Sequence, residues 1–113
     1  MSKRIAVVIS EDPFETARPV EALRIALGLY AGDHETSVVL LGRSPLLLMR
    51  DTEEIVDVDL LEKYLPSIKQ LSIPFIVEPE TTMDTSSHDF SVTTRTVDEI
   101  RQLVRSADRS LIF

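Results

Sequence analysis

The chain contains no cysteine and no tryptophan, only three glycines, and aromatic residues make up just 5% of it. Without cysteine there can be no disulfide framework, thiolate zinc site, iron-sulfur cluster or cysteine nucleophile. Three glycines leave nothing from which to build a glycine-rich phosphate loop. Positive charge is also scarce, since 12 Lys and Arg against 19 Asp and Glu give a formal net charge of -7. Binding to phosphates depends on clustered cations, so no nucleic-acid partner is expected, and anionic membrane surfaces are disfavoured for the same reason. The first apolar run is too short for a signal segment or a membrane span and stops at Glu11 and Asp12. A cytoplasmic protein without membrane association is the expectation. At 113 residues the chain is expected to form one domain, 1–113, with no room for an independent module.

What is present is organised around that first run, Arg4 to Ile9, which is unbroken and rich in β-branched residues. A strand with no polar alternation needs cover on both faces, which predicts a central strand of a parallel sheet flanked by helices. Val20, Leu23, Leu27 and Tyr30 recur at helical spacing, with Thr16 as N-cap, Pro19 in the first turn and Gly32 in the left-handed position past the end. Gly28 within this helix either allows close approach to the sheet or is simply tolerated. Thr36 to Leu41 is a second buried strand, closed by Gly42-Arg43-Ser44-Pro45, with Ser44 as N-cap and Pro45 as the first residue of a short helix.

Leu46, Leu47, Leu48 and Met49 are apolar all the way round that short helix, more than one small domain can bury, so they are expected to form an oligomer interface. Asp59 to Leu65 is helical, and Pro66 either kinks this helix or restarts it through Leu71. Ile73 to Val77 is a third strand, followed by a polar stretch to Ser87, and Phe90 to Thr93 is a short fourth strand. Thr96-Val97-Asp98-Glu99 forms a capping box for a last helix whose apolar face is Val97, Ile100, Leu103, Val104 and Ala107. Ser110 to Phe113 completes a mostly parallel sheet of about five strands in an α/β fold.

In open α/β sheets ligands sit at the carboxyl ends of the strands. Ser10, Glu11, Asp12, Arg43, Glu78 and Glu80 follow predicted strands and form the expected ligand-facing or partner-facing rim. Its acidic members, with Asp84, have the oxygen chemistry to hold a hard divalent cation, although the ordinary reading is a solvated acidic edge. An acidic rim favours cations or a basic protein partner. Phosphorylated receiver domains also carry an acidic pair after the first strand. That reading is rejected because Glu rather than Asp follows the third strand and no lysine follows the last.

Ser86-Ser87-His88-Asp89 holds the residue types of a hydrolytic triad, but immediate neighbours diverge in direction, so the segment is read as a turn. His34 and His88 precede strands, which puts them on the opposite edge, and neither has a second ligand at metal spacing. No catalytic residue, metal ligand or cofactor is assigned.

Four segments taken together, Arg4 to Ile9, Ala22 to Leu27, Val38 to Gly42 and Ala107 to Phe113, resemble the DsrE/DsrF-like family, which includes the TusB, TusC and TusD subunits of sulfur relay. The resemblance spans nearly the whole chain and implies a three-layer α/β/α sandwich, flavodoxin-like in general architecture, that assembles as homo-oligomers or with related DsrE-like subunits. Active members carry sulfur as a persulfide on a cysteine in the short helix after the third strand. The matching stretch here is Thr81 to Thr85, where Met83 is the only sulfur, and a thioether has no thiolate with which to take up or pass on sulfur. Met83 joins the rim on this ground. Gly42-Arg43-Ser44-Pro45 also departs from the Gly-Asp-Gly turn common in relatives. The leading expectation is therefore a non-catalytic, oligomeric assembly or binding subunit related to intracellular sulfur-transfer proteins. The alternative is a small-ligand-binding or metal-binding protein, or an enzyme, using the acidic rim.

Overall fold

The computed structural model describes residues 2–48, 53–79 and 90–113. Five strands, β1 (Arg4–Ile9), β2 (Glu35–Leu40), β3 (Pro74–Val77), β4 (Ser91–Thr94) and β5 (Arg109–Ile112), form one sheet in the order β4-β3-β2-β1-β5. Every pairing is parallel. β1 lies at the interior as its composition requires, with Val7 in register with Val38 on one side and Leu111 on the other.

Alternation along the strands gives the sheet two faces with separate cores. Ile5, Val7, Ile9, Val38, Leu40, Phe75 and Val77 point toward α1 (Arg18–Ala31) and α2 (Val58–Leu71), which contribute Val20, Leu23, Leu61 and Ile68. On the other face Val8, Val39 and Ile76 meet Ile100 of α3 (Val97–Ser106), with Leu103 and Val104 at its margin. This is the expected three-layer α/β/α sandwich. No described helix is long and apolar enough to cross a membrane.

The capping box is present as expected: Glu99 N–H donates to Thr96 Oγ1 at 3.2 Å, and Thr96 N–H donates to Glu99 Oε1 at 3.0 Å. Other ends differ from the expectation. Ala17, not Thr16, is the N-cap of α1, and Thr16 Oγ1 instead accepts from Arg18 N–H at 3.3 Å. Gly32 has φ of -83°, and Asp33, at φ 67°, takes the left-handed position. Gly28 is exposed and a Cβ there would meet nothing within 4 Å, so it is a tolerated helix glycine. α2 runs unbroken through Pro66, because Leu61 and Ile68 are both buried in the main core and hold the helix on either side of the proline.

The expected interface requires the largest correction. The segment after Gly42 is a 3-10 turn, Ser44–Leu48, that folds back beneath α1, and Leu47 and Leu48 are 0% and 1% exposed within the chain's own core. Leu46 is half-buried, and Met49 lies outside the described residues. Among the described residues the larger exposed apolar side chains are instead Leu60 and Leu71 on α2, Val97 on α3 and Ile112 on β5.

Candidate functional site at the strand carboxyl ends

Parallel pairing of β1, β2 and β3 brings the segments after them to one edge, so Ser10 to Asp12, Gly42 to Ser44 and Glu78 do gather in space. The order β4-β3-β2-β1-β5 also sets the carboxyl end of β1 beside that of β5. There Ser10 is tied to the end of β5, its N–H and Oγ donating to the main-chain oxygen of Phe113 at 2.8 and 3.2 Å.

Gly42 is the hinge of the rim. Its φ of 57° lies in the left-handed region, where a side chain is strained, and its N–H donates to Glu78 Oε1 at 3.0 Å. The turn it makes delivers Arg43 to Asp12, with Nη1 3.1 Å from Oδ2, and lays the guanidinium over the Phe14 ring at 5.6 Å. Asp12 is more enclosed than Glu11, its side chain 14% exposed against 43%, and its other oxygen accepts from Phe14 N–H at 2.9 Å. Next to it, Arg18 Nε lies 2.7 Å from Glu11 Oε2, with the guanidinium 5.9 Å from the centre of the Phe113 ring. That carboxylate oxygen is buried without an aligned hydrogen bond, so the contact is ionic rather than directional.

Beneath the rim, Ser44 is fully buried and its hydroxyl lies 2.8 Å from both the Ile9 and the Leu41 carbonyl oxygens, locking the ends of β1 and β2 to the 3-10 turn. It acts as a donor from within the core, not as the N-cap that its position suggests.

The described carboxylates of the expected acidic rim are each met by a positive or donor group. Glu11 and Asp12 each have an arginine, Glu78 takes a backbone N–H, and the two guanidiniums remain more than half exposed. The rim is of mixed sign. Among the described residues no group of three His, Asp or Glu is arranged to hold a metal ion. Glu80, Met83, Asp84 and Ser86 to Asp89 lie outside the described residues. His34 is at the opposite edge as expected, its Nδ1 accepting from Lys3 N–H at 3.2 Å.

Sequence reasoning missed Arg18 and Phe14 as rim residues, whereas the closing strand Ser110 to Phe113 was expected to end on this edge. Phe14 and Arg18 carry no local pattern that distinguishes them from ordinary loop and helix residues; only the pairing of β5 with β1 places Phe113 beside them.

No protein-family model matches the chain, and no curated protein is matched by its sequence. Among solved structures, the crystal structure of the ychN protein from E. coli is similar, with a TM-score of 0.79 and 20% sequence identity over 100% of both chains. At that identity the likeness speaks for the fold, and it agrees with the DsrE-like sandwich expected from the sequence.

Proposed function

We propose that this chain is a non-catalytic subunit of an assembly of DsrE-like chains, related in role to intracellular sulfur transfer, whose rim recognises a protein partner without covalent chemistry. The observation that carries the reading is the occupation of the rim carboxylates. Glu11, Asp12 and Glu78 are all engaged by the chain's own arginines or by a backbone N–H, so a role as general acid or base would require those contacts to be exchanged for substrate. The absence of cysteine from the sequence removes the one side chain on which the family chemistry depends.

A divalent cation at Glu11 and Asp12 would have to displace Arg18 and Arg43, which disfavours the metal-binding alternative. A purely basic partner would meet the same competition. The better match is a protein surface presenting both signs, with an acidic group for each exposed guanidinium. The sulfur-related role rests on fold likeness and on the resemblance of the sequence, and it predicts a supporting part rather than a carrying one. Incubation with a persulfidated donor protein followed by intact mass spectrometry tests this. No covalent gain is expected, and a stable gain of one sulfur atom on the chain would overturn the reading.

A further inference from the structure

At the opposite end of the sheet from the rim, β1 and β2 begin with Arg4 in register with Glu35, and Ala6 in register with Ser37. Strand alternation places all four on the α3 face, the same face as Val8 and Val39 further along. At the level of Val8 and Val39 that face is closed against Ile100. At the level of Ala6 and Ser37 the side chains are small, and the last turns of α3 pass overhead with Leu103 and Ala107. The result is a cavity of about 270 Å³, with Ala6 and Ser37 as floor, Leu103 and Ala107 as wall, and Arg4 and Glu35 at the mouth. That volume is just under the usual range for small-molecule sites, roughly 300–1,000 Å³.

The polar groups around it are specific in kind. Arg4 Nε and Glu35 Oε2 stand 3.6 Å apart, too far for a good hydrogen bond, so both retain bonding capacity toward a third group. Asp108 is already committed, accepting Arg4 N–H at 2.8 Å, and this fixes the start of β1 to the end of α3. The Ser37 hydroxyl has no hydrogen-bond partner among the described residues.

We propose that this cavity binds a small zwitterion, an α-amino acid with a short side chain. Such a molecule carries an ammonium and a carboxylate on one carbon, side by side, as Glu35 and Arg4 are. Its ammonium pairs with Glu35, its carboxylate with Arg4, and Ser37 supplies a further hydrogen bond. The short side chain lies against Ala6, Leu103 and Ala107, where a long one has no room. This site is independent of the rim and of the function proposed for it.

The test is a titration of the isotope-labelled full chain with L-alanine, ethylammonium chloride and sodium propionate, followed by backbone amide shifts. L-alanine is expected to give saturable shifts centred on Ala6, Ser37, Leu103 and Ala107. Each single-charge analogue is expected to bind about tenfold more weakly or worse, the loss typical of one missing charge-assisted hydrogen bond. Glu35→Gln and Arg4→Gln, both at exposed positions, are expected to weaken L-alanine by a similar factor, and Ser37→Leu is expected to abolish its binding by filling the cavity. Absence of saturable shifts with L-alanine, shifts located elsewhere, or undiminished binding to Glu35→Gln and Arg4→Gln would each overturn the proposal, whatever the folding of the Ser37 variant.

Discussion

The two faces of the sheet are built to different depths. Under α1 and α2 the core is thick, with Phe75, Leu23, Leu40, Leu47, Leu61 and Ile68 all almost wholly buried. Under α3 it is a thin layer of Val8, Val39, Ile76 and Ile100, and α3 buries only Ile100 of its own residues. The difference teaches where stability resides and where surface remains for recognition. Burial scales with apolar area removed from water, so the α1/α2 face carries most of the fold. The α3 face depends more on its ends: the capping box at Thr96, and at the other end Asp108, which accepts from Arg4 N–H and donates its own N–H to the Arg4 carbonyl oxygen.

The largest effect expected from this asymmetry is at Leu47. Leu47→Ala leaves a cavity in the thick core and is expected to cost about 3–5 kcal/mol, whereas Ile100→Ala on the thin face is expected to cost about 2 kcal/mol. Urea unfolding of the two variants checks the order, and a reversal would break the comparison. Next comes Ser44→Ala, which removes the buried hydroxyl donor while the Leu41 and Ser44 N–H groups continue to serve the Ile9 and Leu41 carbonyls; a loss of about 0.5–1.5 kcal/mol is expected in the same measurement.

Smaller again is a pH effect confined to the α3 face. Hydrogen bonds from Thr96 to the Glu99 carboxylate hold its pKa below the ordinary value. A group whose pKa is lowered by folding contributes stability that is present above its unfolded value, about 4.3, and lost as pH falls through the folded one. The protection factors of amides in the first turn of α3, taken relative to the intrinsic exchange rate at each pH, should therefore fall as the pH is lowered through and below about pH 4, and Glu99→Gln, which keeps a hydrogen-bonding side chain, should flatten that dependence. The smallest effect is a gain: Gly28→Ala enters open space on α1 and is expected to stabilise by about 0.5–1 kcal/mol in thermal unfolding.

The same asymmetry explains what was legible in the sequence. The thick face writes itself as periodicity, in the β-branched runs of β1 and β2 and in the Val20, Leu23 and Leu27 spacing of α1, so the sandwich and the location of the rim followed from pattern alone. The capping box at Thr96 and Glu99 was legible because it is local. Leu47 and Leu48 were misread because an apolar turn looks the same whether it faces solvent or folds beneath a helix, and only the tertiary path of the chain decides. The arginine pairing within the rim was not legible for a related reason. Composition counts the excess of carboxylates, but Arg18 reaches Glu11 and Arg43 reaches Asp12 through turns that no count records.

With Leu47 and Leu48 taken into the core, the exposed apolar side chains among the described residues on which the proposed assembly would draw are Leu60 and Leu71, which stand eleven residues apart and so on one side of α2, Val97 on α3, and Ile112 at the edge of the sheet. The most direct measurement is the mass of the chain in solution, by light scattering after size exclusion at micromolar concentration. The account predicts two or more 12.7 kDa chains per particle, with Leu60→Asp lowering the mass while thermal stability is kept. A monomer for the unaltered chain, alone and mixed with related DsrE-like subunits, would contradict it.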